Sequence, residues 1–200
     1  MMKKFNYALV GLLGSALLFS CGESMKKVKE AKEGFEAVSE LAKAGSGVAK
    51  DMKKLSELDP WSHQDFEKWA PNESFQGMKR TELELGEGIA EASIKIFYLA
   101  DEGSKKMEIY VVDGADKGGG NMLIAQLNMF LNADISKVNE SNNGQIVEKN
   151  GVRAMVHSDS EYATIETIAN ERFYVKVAGI GMDSDAVWDA FKALKTDKLK

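Results

Sequence analysis

Cysteine, proline, histidine and surplus basic charge are all scarce in this chain. Its 200 residues include one cysteine, two prolines and two histidines. A lone cysteine rules out an internal disulfide framework. Two histidines in separate segments, His63 and His157, argue against a zinc site, which needs several converging ligands. Lys and Arg number 26 against 31 Asp and Glu, a formal net charge of −5. That balance makes nucleic acid a poor partner, because neutralising phosphates with Lys and Arg supplies most of such affinity. Hydrophobic content of 44% and charged content of 28% lie in the ordinary globular range, which excludes a fibrous or wholly disordered chain.

The charge that is present is unevenly placed. Lys3 and Lys4 open the chain, and from Phe5 to Gly22 no side chain is charged, with a dense apolar stretch from Ala8 to Phe19. This is the layout of a secretory signal, and it falls short of the roughly 20 residues that span a bilayer comfortably. Without Lys3 and Lys4 the remainder carries 24 basic and 31 acidic side chains, a formal −7. Leu18, Phe19, Ser20 and Cys21 close the apolar stretch with an aliphatic residue, a tolerant position, a small residue and the single cysteine. This tetrad resembles the lipobox of bacterial lipoproteins. The resemblance implies a diacylglyceryl group on the Cys21 thiol, cleavage just before it, and a mature chain whose first residue is lipidated. It also implies a membrane partner engaged through N-terminal acyl chains such as palmitate, since two or more chains anchor a protein stably. Gly22 stands where aspartate would signal retention in the inner membrane, so the outer membrane of a bacterial envelope is the expected location. Residues 1–20 are therefore expected to be a signal peptide.

Residues 21–74 read as a helical tether. No proline precedes Pro60, and Val28, Ala31, Phe35, Val38, Ala42 and Met52 recur near helical spacing, with Leu41, Val48 and Leu55 on a neighbouring stripe. Lysines and acids balance along it, and Gly45, Ser46 and Gly47 predict a break into two helices. The segment reads as a spacer packing on its own domain; a helix lying on an anionic bilayer and a short coiled coil are the alternatives. Trp61 and Trp69 in the aromatic passage before Pro71 read as a staple holding the linker to the domain, in preference to immersion in the membrane interface.

From Phe75 to Lys200 the period changes to two. Leu83 and Leu85, then Ile94, Ile96 and Tyr98, then Met107, Ile109 and Val111 alternate with polar residues and predict three half-buried strands, the last two joined by a hairpin at 101–105. The glycine-rich loop from Gly114 to Gly120 leads into a helix carrying Met122, Leu123, Ala125, Gln126, Leu127, Met129 and Phe130. After a polar surface loop at 139–145, Ile146 and Val147 resume the strand pattern, Asn150 and Gly151 predict a tight turn, and Val152, Ala154 and Val156 continue beyond it. Two more strands flank a turn at 169–171, Gly179 and Gly181 end the last, and Ser184 or Asp185 caps a final helix with Val187, Trp188, Phe191 and Leu194 inward. Short turns require antiparallel pairing. The fold class is α+β: a mostly antiparallel sheet of six or seven strands, with the inserted helix and the C-terminal helix on one face. The run from Phe75 through Gln76, Gly77, Met78, Lys79, Arg80 and Thr81, followed by the strand ending at Asp113 and by Arg172 to Val177 with Gly179, looks like uncharacterised small envelope proteins of Gram-negative bacteria. That likeness covers most of 75–200 and implies a fold without a mechanism.

Chemistry is sparse. His157, Asp159 and Glu161 share one strand face, but the pattern reads as a solvated strand running into a turn. A relay from Ser158 or Ser160 through His157 to Asp159 fails because adjacent strand residues point to opposite faces. Gly114 and Gly119 have P-loop spacing, yet Gly120 and Asn121 stand where lysine and a hydroxyl residue would hold phosphate and magnesium, so a mobile turn is expected. Asp113 with Asp116, and Asp183 with Asp185 and Asp189, offer oxygens to calcium without following its twelve-residue loop. No catalytic residue, cofactor or metal is expected. The reading is a lipid-anchored envelope protein with a non-catalytic binding or scaffolding domain, its partner another envelope protein. The alternatives are a carrier of a small apolar ligand or lipid between the sheet and the helix at 122–130, where methionines would line the pocket, and an enzyme using the Asp113 and Asp116 pair.

Overall fold

The structure, a computed structural model, describes residues 50–132 and 144–200. Cys21, the signal segment, most of the tether and most of the polar loop at 139–145 lie outside these residues. The strands are β1 (Ser74–Phe75), β2 (Met78–Leu85), β3 (Ser93–Leu99), β4 (Lys106–Asp113), β5 (Gly144–Lys149), β6 (Val152–Ser158), β7 (Tyr162–Ala169) and β8 (Phe173–Ile180). The helices are α1 (50–56), α2 (His63–Trp69), α3 (Gly120–Asn132) and α4 (Ser184–Ala193). All eight strands form one antiparallel sheet in the order β1-β2-β3-β4-β8-β7-β6-β5. The fold class is α+β as the periodicity implied, with eight strands instead of six or seven. The addition is β1, a two-residue strand joined to β2 by Gln76 and Gly77, both at positive φ; two residues are too few to show any period.

Turn chemistry explains the hairpins. Asn150 and Gly151 between β5 and β6 have φ of 56° and 76°, and Asn170 and Glu171 between β7 and β8 have φ of 52° and 55°. Two successive positive values define the turn whose twist matches that of the flanking strands. Two four-stranded meanders result, and their last strands, β4 and β8, pair at the centre, Ile109 opposite Val177. The last strand runs on to Ile180, so Gly179 is interior: it pairs with Met107 and Ala163, and a side chain there would collide with Met182 and Val187.

The helices lie on opposite faces, not on one. Phe173, Val175 and Val177 of β8 pack with Val187, Trp188 and Phe191 of α4 and with Phe66 of α2. Tyr174 of β8 and Val112 of β4, which point the other way, pack with Ile124, Leu127 and Leu131 of α3 and with Leu55 of α1. Consecutive strand residues face opposite sides, so these are two cores separated by the sheet. Each fully buried Ile or Val contributes about 2 kcal/mol, and β3, β4 and β8, with Ile94, Ile96, Ile109, Val111, Val112, Val175 and Val177, carry most of it. The inward stripe of α4 is the one anticipated. Its cap is Asp183, whose side chain accepts the Ala186 N–H, in place of Ser184 or Asp185. On α3 the buried stripe is Ile124, Leu127 and Leu131, while Met122 is 60% exposed.

The segment before β1 belongs to the folded unit. Leu55 of α1 is buried in one core and Phe66 of α2 in the other, so the chain passes round the end of the sheet between them. Trp61, at the crossing, packs edge-on against Phe66 and Phe173 at centroid distances of 5.3 and 4.9 Å and donates its indole N–H to the Lys200 carbonyl. That is the staple expected of this tryptophan.

Candidate functional site

Among the described residues, a dense polar arrangement lies where β4 ends. Asp113 is completely buried, and the guanidinium of Arg172 grips it through two parallel bonds, Nε to Oδ1 at 2.8 Å and Nη2 to Oδ2 at 2.7 Å. The Ala115 N–H adds a third bond to Oδ1 at 2.9 Å and the Trp61 N–H a fourth to Oδ2 at 2.8 Å. Arg172 Nη2 also donates to the Asp59 carbonyl. An ionised carboxylate offers about four acceptor positions, and all are occupied. Asp113 thus clasps the crossing segment to the sheet and has no lone pair left for a substrate proton.

Asp116 is similarly spent. Its Oδ2 accepts from Ala92 N–H at 3.0 Å, and its Oδ1 from Gly118 N–H at 2.8 Å and Gly120 N–H at 3.5 Å. These are the backbone donors a phosphate would need. The loop is also packed, which corrects the expectation of a mobile turn. A side chain on Gly119 would strike the Ile89 carbonyl, and one on Gly120 the Asp113 carbonyl. The glycines are there for close backbone approach, and their P-loop spacing follows from that packing.

The other candidate sets are dispersed. Asp159 accepts from the N–H groups of Glu161 and Tyr162 in the β6–β7 turn, while the His157 ring lies against Gly144. His63 sits against Gly86 and the Glu91 carbonyl, in the other half of the sheet. Asp183 caps α4, Asp185 pairs with Lys149 at 2.9 Å and Asp189 with Lys192 at 3.1 Å. Among the described residues no three His, Cys, Asp or Glu side chains converge as metal ligands would. Among the same residues no helix is long and apolar enough to cross a membrane.

A cleft of about 380 Å³ opens between α1, α3 and the sheet. Its floor is Leu55, Ile124, Leu131 and Ile168, and its rim is charged, with Lys54 paired to Glu171 at 3.3 Å and Asp51 accepting from Asn128. The methionines expected to line such a pocket do not reach it; Met122 faces a shallow hollow beside Met52. Nearby, the Tyr174 hydroxyl donates to Glu166 Oε2 at 2.8 Å. Burial, and then the Glu166 charge, push this phenol far above its ordinary value of 10.0.

Arg172 is the residue that sequence reasoning left without a role, and its acceptor lies 59 positions away. A charged residue directly before the largely apolar strand at Phe173–Ile180 was the available signal. No protein-family model matches the chain, and neither a curated protein nor a solved structure is similar enough to match it.

Proposed function

We propose that this is a lipid-anchored protein of the bacterial envelope whose α+β domain binds or scaffolds a partner at the membrane without catalysing a reaction. The observation that carries the reading is the tetrad Leu18, Phe19, Ser20 and Cys21, which places the single cysteine directly after an uncharged apolar stretch. Acyl chains contribute about 0.8 kcal/mol for each buried methylene, so such an anchor needs no spanning helix. The non-catalytic part is supported by Asp113 and Asp116, whose carboxylates are consumed by internal hydrogen bonds. A carrier of apolar ligands draws less support, because charged side chains rim the cleft beside α3.

Intact mass of the membrane-extracted protein tests the anchor. The expected result is loss of residues 1–20 with acyl chains on the new terminus, abolished by Cys21→Ala; an unprocessed, unacylated chain overturns the reading.

A further inference from the structure

On the face opposite α3, a depression of about 510 Å³ lies between α2 and the end of α4. Its walls include the aromatic rings of Trp61, Trp69 and Phe75, and three lysines, Lys68, Lys195 and Lys198, stand around it. The one acid in the lining is Asp65, whose Oδ2 is turned to the Ser62 N–H and hydroxyl in the α2 capping box. None of the three lysines forms an ion pair among the described residues, a state they share with Lys53, Lys105, Lys106, Lys117 and Lys176; what sets these three apart is that they converge on one depression with a single acid in its lining. A local surplus of cations is thus held open on a chain whose net charge is −5.

Helix polarity accounts for only part of this. Lys68 lies in the last turn of α2, where a cation complements the helix dipole, but Lys195 and Lys198 lie past the end of α4. Lys195 follows the α4 C-cap Leu194 in the left-handed conformation, φ 52° and ψ 50°. Glycine fills that position with least strain. Trp69 adds a buried indole N–H that has no acceptor among the described residues.

We propose that this depression takes the anionic headgroup of a phospholipid, seating this face of the domain on the bilayer. The ammonium groups match a phosphate, and tryptophan beside lysine is the pairing favoured at the boundary between headgroups and acyl chains. The aromatic wall favours a lipid over free phosphate, which presents no apolar surface to cover. The inference rests on the anchored reading above, since anchoring is what brings a bilayer within reach.

The full chain is placed in vesicles in which either phosphatidylglycerol or phosphatidylcholine carries bromine-labelled acyl chains, and quenching of tryptophan emission is followed. Brominated phosphatidylglycerol should quench more strongly than brominated phosphatidylcholine, and added inorganic phosphate should not reverse it. Lys195→Gly relieves the backbone, so its melting temperature should equal or exceed that of the parent. The phosphatidylglycerol fraction for half-maximal quenching should nonetheless rise about fivefold, the equivalent of about 1 kcal/mol per lysine at an anionic surface. Equal quenching by both lipids, or a Lys195→Gly variant indistinguishable from the parent, overturns the proposal. Reversal by phosphate reassigns the site to a free anion and overturns the lipid assignment. Failure of the anchor itself would show in the intact mass and not in the headgroup preference.

Discussion

Replacing Arg172 with alanine strands a buried carboxylate. Asp113 is completely buried and the Arg172 side chain is 16% exposed, so water cannot take over the role of the guanidinium. The variant loses two charge-assisted bonds to Asp113 and the tie to the Asp59 carbonyl. Removing one partner of a buried ion pair costs about 3–5 kcal/mol, mostly from the charge left behind. That is a large part of a total stability of about 5–15 kcal/mol. Urea denaturation followed by tryptophan emission reads the loss directly. Asp113→Asn should be damaging too, and Asp113→Asn combined with Arg172→Met should cost clearly less than the sum of the single changes, because neither charge is then left alone. The damage should also have an address. Trp61 and Asp59 are held by the same pair, so limited proteolysis of Arg172→Ala should cut first between α1 and α2. An Arg172→Ala variant within about 1 kcal/mol of the parent, or strict additivity in the double variant, would refute the clasp.

Trp61→Ala removes two edge-on aromatic contacts and the bond to Lys200; it should cost about 2 kcal/mol or more and speed proteolysis of the same crossing, as peptide mapping would show. Gly119→Ala drives a methyl group into the Ile89 carbonyl and should destabilise by about 1–3 kcal/mol, visible as a lower melting temperature, whereas Gly103→Ala has space around it and strains only its φ of 71°. The raised Tyr174 phenol predicts a one-sided pH dependence. Its stabilising contribution is fully present below the ordinary value of 10.0 and is lost as pH rises above it, because the unfolded chain then gives up a proton that the folded chain retains. Melting temperatures measured through that range should fall more steeply for the parent than for Tyr174→Phe, and burial of Tyr98 and Tyr110 should add to the parent's late-titrating phenol absorbance.

Local chemistry in the sequence determined the strands at 94–98 and 107–111, the turns at Asn150 with Gly151 and at 169–171, and the inward stripe of α4. Each depends on a period or a φ preference set within a few residues. The tetrad ending at Cys21 is also read from neighbouring residues alone, but it lies outside the described residues. Tertiary structure decided what periodicity is blind to. Alternation reveals which residues share a face of a strand, but it carries no label for which face α3 or α4 will cover, and the two helices took opposite ones. The pairing of β4 with β8 and the grip of Arg172 on Asp113 join positions far apart in the chain. Such contacts form only when packing both faces of the sheet brings them together, and no local preference announces them. The depression ringed by Lys68, Lys195 and Lys198 is likewise a product of packing, because α2 and α4 are distant in sequence and meet only through the core they share with Phe173.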